Sequence, residues 1–293
     1  MLFNDYKKII FLDAEASGTD TRTAQSLEWA MAEMVADGYS KLKVIKQTDF
    51  FVSGTGIIPE EVILYDAQPT DFNEFKKRAK EKGIAVEEFK LPVSITELTH
   101  IHSENLDPNK SKAFPEDVIA QTFAKKLFQP DTLVMSYNLN YDLNLIATML
   151  EKHNIKVDWE APDYLDLLAV YKDLNSYDGE VDGGRVIDGV KCDVKCLGHR
   201  LDAALKKYNV TIDPQYRHRA IGDVLASVEV LQKMIAEGVQ FRVYLNYLSY
   251  KEKFKDTLIY LPAKKITYVP VVKKFDLRFY SLKKWKEQQA QNQ

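Results

Sequence analysis

The stretch Lys7-Lys8-Ile9-Ile10-Phe11-Leu12-Asp13-Ala14-Glu15-Ala16-Ser17-Gly18 is an apolar run that ends on an acid. Ile9 to Leu12 reads as a buried strand ending at Asp13, because four successive apolar side chains leave no face for water. Asp13 and Glu15 are two apart, so in an extended chain they point to one side with Cα atoms roughly 6.5–7 Å apart. Two carboxylates so placed can share one or two cations. Ser17-Gly18 then forms a turn at which a ligand can approach the backbone closely.

Working outward, Ser26 to Ala36 and Lys43 to Ser53 read as two further strands, separated by the hairpin signal Asp37-Gly38. Thr132-Leu133-Val134-Met135 is another short apolar run; Asn138 follows in a loop, and Tyr141-Asp142 opens a helix striped by Leu143, Ile146, Ala147 and Leu150. Asp142 thus stands at a strand-to-helix junction, where the positive end of a helix favours an acid whatever its function. Val224, Val228, Leu231 and Ile235 mark a helix from near Ala220 to Gly238. His218 and Asp223 are five apart, roughly 140° around a helix, so they converge only if His218 precedes it. Alone, His218 reads as a surface residue. What gives it meaning is its occurrence with the acids.

His218-x-Ala220-x-x-Asp223, after Asp13-x-Glu15 and Asn138-x-x-Tyr141-Asp142, resembles the DEDDh family of 3′→5′ exonucleases, and within it the epsilon-type proofreading exonucleases of bacterial DNA polymerases. Ile95-Thr96-Glu97-Leu98-Thr99-His100-Ile101 is similar to the family's Leu-Thr-x-Ile segment, Tyr164 to Leu168 to its later strand, and Cys196 to Val210 to the helix before the last motif. Tyr137, Val224 and Ala16-Ser17 depart from the usual His, Ala and Thr, leaving the acids intact. The resemblance implies an α/β fold, a ribonuclease H-like mixed sheet with helices on both faces, beginning with an antiparallel three-strand meander. It implies two Mg²⁺ or Mn²⁺ held by Asp13, Glu15, Asp142 and Asp223, with His218 as general base. Substrate contacts are expected at Ala16, Ser17, Gly18, Leu98, Thr99, Ile101, Asn138 and Tyr141. The implied partners are the 3′ end of DNA, single strands favoured, and a DNA polymerase. An RNA-trimming enzyme akin to oligoribonuclease or ribonuclease T would use the same five residues, and a non-catalytic nucleic-acid-binding module is the other alternative.

At 293 residues and 45% apolar content, the chain can bury one large core with a small appendage, expected as a domain over 1–240 and an extension over 241–293. Two cysteines exclude a disulfide framework and fit a reducing cytoplasm. The first residues hold only a four-residue apolar run, and no later run approaches the ~18 a membrane span needs, so no membrane association is expected. Oligomeric state is left open.

Charge is divided unevenly: from Lys251 onward eleven basic residues face four acids, whereas the net charge of the whole chain is −3. Tyr260, Tyr268, Phe275, Phe279, Tyr280 and Trp285 are interleaved with those cations, a combination suited to single strands. The competing reading makes strands of Leu258 to Leu261 and Ile266 to Val269, ended by Pro262 and Pro270. Residues 60–90 look like an insertion carrying a charged helix from Asp71 to Lys82, ended by Gly83, which is either a lid or a solvated surface. Asp188-Gly189 signals a hairpin bordering the substrate groove. Cys192, Cys196 and His199 lack a fourth ligand, so no zinc site is expected.

Overall fold

Ile9 and Phe11 pack into one apolar cluster, Ile10 and Leu12 into another, and all four side chains are fully buried. Alternation along a strand sends successive side chains to opposite faces, so this strand must be covered by a layer on each side. The structure, a computed structural model, describes residues 2–38, 41–64, 80–81, 93–174, 177–181, 184–187, 190–192 and 200–270.

Strands β1 (Lys8–Ala16), β2 (Ser26–Asp37) and β3 (Lys41–Ser53) form the expected antiparallel meander. Gly38, at φ +71°, turns β2 toward β3. The two-residue strands β4 (Ile63–Leu64) and β5 (Val93–Ser94) pair with each other, and Ser94 caps helix α1 (Ile95–Thr99) in a capping box with Glu97. Next come β6 (Ala113–Pro115), helix α2 (Glu116–Leu127), β7 (Thr132–Ser136), helix α3 (Leu139–Lys152), β8 (Asp163–Asp166) and helix α4 (Leu167–Leu174). The main sheet runs β6-β3-β2-β1-β7-β8, with β6 parallel to β3 and β1, β7 and β8 mutually parallel.

A small antiparallel sheet of β9 (Tyr177–Val181), β10 (Gly184–Ile187) and β11 (Val190–Cys192) follows, the last two forming the hairpin expected around Asp188-Gly189. Helices α5 (Leu201–Tyr208) and α6 (Ala220–Ala236) and the parallel pair β12 (Tyr247–Tyr250) and β13 (Thr267–Pro270) complete the described chain.

Helices cover both faces. Val224, Val228, Leu231 and Ile235 of α6 bury against Ile9 and Phe11, as their spacing predicts, beside apolar residues of α4 and α5. On the other face α2 and α3 supply Ile119, Phe123, Leu143, Ile146 and Leu150, each buried aliphatic or aromatic side chain contributing roughly 1.5–3 kcal/mol. Trp29 meets Phe123 edge-on at 4.9 Å, joining β2 to α2. This is the α/β mixed sheet expected from the sequence. Among the described residues no helix is long and apolar enough to cross a membrane.

Two expectations need correction. β1 does not end at Asp13: it pairs with β2 through Asp13–Ala30 and Glu15–Glu28, and shifts register only between Glu15 and Ala16. The acids therefore lie within the sheet, fixed by its ladder. Leu258 to Leu261 is not a strand: Leu258 N–H donates to Lys255 O at 3.4 Å, Ile259 N–H to Asn144 Oδ1 at 2.9 Å and Leu261 N–H to Tyr268 Oη at 2.8 Å, so none of these three joins a ladder. The strand at Thr267–Pro270 takes Tyr247–Tyr250 as its partner instead. Most of the charged helix read at 71–83, with Cys196, His199 and the aromatic residues beyond 270, lies outside the described residues.

Candidate active site

Asp13 and Glu15 project from the C-terminal half of β1 toward the start of α6, where Asp223 lies in the first turn. One carboxylate oxygen from each of the three falls within 4.8 Å of the others. Burial lifts the pKa of Asp13 and Glu15 well above the usual carboxylate range, and the neighbouring carboxylates lift them further. Asp223 is pushed up to about 6 by burial, against the pull of Arg217.

Asp142 stands just outside this triad, in the first turn of α3 and 2% exposed. Its Oδ2 accepts the Ser136 hydroxyl at 2.7 Å, while its Oδ1 has no hydrogen-bond partner among the described residues. Its charge is the largest carboxylate influence on Asp13. Asn138 directs this geometry: it adopts a left-handed conformation (φ 79°) and donates its backbone N–H to Asp166 at 3.0 Å, which fixes where α3 begins. The Tyr141 hydroxyl donates to Gly18 O, and Thr148 donates to Thr21 O at 3.0 Å, fastening the turn after β1 onto α3.

His218 precedes α6, as the spacing requires, at φ 57°. The loop holding it folds back so tightly that a Cβ on Gly222 would lie 2.0 Å from Tyr216 O. Burial, reinforced by the Arg217 cation, lowers the His218 pKa to about 4, so the imidazole is neutral at pH 7 and can accept a proton. Three residues that the sequence reading missed build the surroundings. Arg217 joins Asp223, at 2.8 Å, to Asp202 of α5. Arg219 forks onto Glu28, which sits directly across β2 from Glu15. The available signals were two arginines flanking His218 and one acid inside the apolar run Leu27 to Ala32.

A cleft of about 380 Å³ opens over the acids. Asn138 and Tyr141 line it, joined by Thr19, Thr21, Asn140 and Asn144. Its remaining wall comes from Tyr250, Lys251, Phe254, Thr257 and Leu258. In the turn, the Ser17 hydroxyl accepts the Gln25 N–H at 2.9 Å, Gly18 O receives Tyr141, and neither these two nor Ala16 belongs to the cleft lining. Leu98, Thr99 and Ile101 also stand outside its lining; Thr99 and Ile101 are buried at 1% and 0% exposure, and the Thr99 hydroxyl donates to Ile95 O. Helix α1, which holds Leu98 and Thr99, is capped by His100, close enough to influence His218 electrostatically.

This donor set fits a hard divalent cation. Its ligands are oxygens, and the crowded carboxylates are held above their ordinary pKa even with Arg217 beside Asp223. The buried, unpartnered Oδ1 of Asp142 is a further oxygen without its complement.

A family model described as exonuclease (RNase_T) matches residues 69–231, a span containing Asp142, His218 and Asp223 and starting after Asp13 and Glu15. None of the curated proteins matches. Among solved structures the chain is similar to E. coli exonuclease I in its zinc-bound complex with single-stranded DNA, at 15% identity over 81% of this chain and 42% of that chain, with a TM-score of 0.51. The same E. coli enzyme in complex with a 5cy-dA13 oligonucleotide gives 15% identity, 78% and 40% coverage, and a TM-score of 0.49. The chain thus spans less than half the length of the enzyme it resembles, and the likeness is one of fold.

Proposed function

Because the chain belongs to the exonuclease (RNase_T) family, we propose that it hydrolyses the terminal phosphodiester at the 3′ end of an unpaired DNA strand and releases nucleoside 5′-monophosphates. The observation that carries this reading is the triad of Asp13, Glu15 and Asp223, with oxygens within 4.8 Å of one another at one end of the sheet. Asp13, Glu15 and Asp223 would hold two Mg²⁺ or Mn²⁺ together with Asp142. Bound there, such ions lower the pKa of an attacking water and offset the charge that develops on the leaving 3′ oxygen.

The chain's own groups do the rest. His218, neutral near pH 7, takes a proton from the attacking water as the water oxygen bonds to phosphorus and the phosphorus–O3′ bond breaks, the released 3′ oxygen taking a proton from solvent. Arg217 and the buried Glu28–Arg219 pair hold the His218 loop against the acids. Asn138 and Tyr141, anchored to Asp166 and Gly18, line the space for the terminal nucleotide. The epsilon-type motifs carry a finer proposal, that a DNA polymerase hands over the 3′ end; preferential removal of a mispaired over a paired terminal nucleotide on a primed template supports it.

Labelled single-stranded DNA and RNA of equal length, incubated with Mg²⁺ and resolved by product size, test the reading. Mononucleotides appearing stepwise from the DNA 3′ end are expected. Faster RNA trimming reassigns the substrate, and binding without cleavage of either strand refutes the enzyme assignment.

A further inference from the structure

The acids share the lining of the cleft with a segment far later in the chain. Two anchors hold that segment. Ser249 donates its backbone N–H, at 2.8 Å, and its hydroxyl to the buried carboxylate of Asp166, and Ile259 N–H donates to Asn144 at 2.9 Å. Between these anchors residues 250–258 run along the cleft and turn Tyr250, Lys251 and Phe254 toward the cavity that Asp13, Glu15 and His218 also line. Lys251 is exposed, Phe254 is half-buried, and the Lys251 ammonium stands 5.9 Å from the Phe254 ring centroid.

A carboxylate cluster repels a polyanion, so a cation in the cleft lining adds complementarity to phosphate. An aromatic ring beside it gives a stacking surface that every unpaired base can use and that a base already stacked within a duplex cannot. At about 380 Å³ the cleft has room for a nucleotide-sized group.

We infer that the 250–258 segment is a strap that grips an unpaired 3′-terminal strand, with Lys251 on a backbone phosphate and Phe254 on a base face, and so makes the site selective for single-stranded ends. The inference rests on the exonuclease reading and gives the C-terminal segment a share in the substrate site.

Fluorescence anisotropy of the full chain tests it, in Mg²⁺ across a salt series, with an oligothymidylate whose terminal linkages are phosphorothioates. Lys251→Ala should weaken binding and flatten the slope of log affinity against log salt by about 0.7, the value for one single-strand phosphate contact. Lys251→Arg should keep the slope. Phe254→Ala should weaken binding about 5- to 100-fold. Lys7→Ala removes an equal charge from an exposed pair with Asp131 at the far end of β1, and should bind like the parent. Parental affinity and slope for both Lys251→Ala and Phe254→Ala overturn the strap, as does an equal loss in Lys7→Ala. Mononucleotide release from unmodified strands is measured separately on the parent chain, so failure of the exonuclease reading shows there and leaves the binding result to decide the strap.

Discussion

Arg219 grips the carboxylate of Glu28 with two roughly parallel donors, Nε to Oε2 at 3.0 Å and Nη2 to Oε1 at 2.8 Å, and the Ala220 backbone N–H adds a third bond at 3.0 Å. Glu28 is fully buried on β2, so this fork ties the residue after His218 to the middle of the sheet and satisfies an orphan donor at the start of α6. Arg219→Ala leaves a buried charge unpaired, a defect that costs about 3–5 kcal/mol. Its urea midpoint should fall, with turnover falling as the His218 loop loosens. Arg219→Lys, which keeps charge and loses the fork, should be intermediate. A parental midpoint in Arg219→Ala contradicts this role.

Gly222→Ala separates helix propensity from loop geometry. In an ordinary helix interior the change stabilises by about 1 kcal/mol. Here the new Cβ would lie 2.0 Å from the Tyr216 carbonyl oxygen, so the loop that presents His218 must move. A lower melting temperature and a large loss of turnover are expected. A more stable, fully active variant would show that the loop is not positioned by this contact.

Protonation should oppose metal binding. Asp13, Glu15 and Asp142 titrate well above the usual range because they are buried, and Asp223 is raised to about 6. Between the ordinary carboxylate values of 3.8 and 4.5 and about 6, the folded chain therefore holds more of these protons than the unfolded chain, and this cluster's contribution to metal-free stability falls as pH rises. Mg²⁺ binds the deprotonated cluster, so the rise in Tm that it causes should grow from about pH 5 to about pH 7.5. An equal Mg²⁺ effect at both ends places the binding elsewhere.

Asp142→Asn should trade function for stability. It removes one charge from a crowded group and leaves an acceptor for Ser136, so the protein in EDTA should melt at a higher temperature. Mononucleotide release should be abolished, since the unpartnered oxygen becomes a weaker ligand or a donor. Undiminished release would remove Asp142 from the machinery.

His218→Ala should slow release by about 10² to 10⁴, the usual contribution of a general base. Mg²⁺ affinity, read by calorimetry, should change little, because the triad comes from Asp13, Glu15 and Asp223. Lost metal affinity with the parental pH profile would make His218 a ligand instead.

The sequence by itself determined what local chemistry can express. Ile9 to Leu12 specified a strand buried on both faces, Asp37-Gly38 a turn, and Val224 to Ile235 a helix that leaves His218 on the loop before it. Two-residue spacing put Asp13 and Glu15 on one side of β1, because strand alternation depends on no distant partner. Tertiary structure decided what depends on such partners. β1 continues through Glu15 because β2 lies beside it, which also sets Glu28 opposite Glu15 and makes Arg219 its counterion. Ile101 packs in a cluster with Leu27, Phe51 and Ala113, and Thr99 beside it is 1% exposed, a burial that no local pattern specifies. Leu258 to Leu261 has the composition of a strand, yet Asn144 and Tyr268 take its donors and Tyr247–Tyr250 pairs with the later strand. Through Ser249 and Asp166 that pairing carries Lys251 and Phe254 to the acids. Periodicity reports which face of an element is apolar; which distant element covers it, and which side chains meet across the resulting cleft, are settled only when the whole core packs.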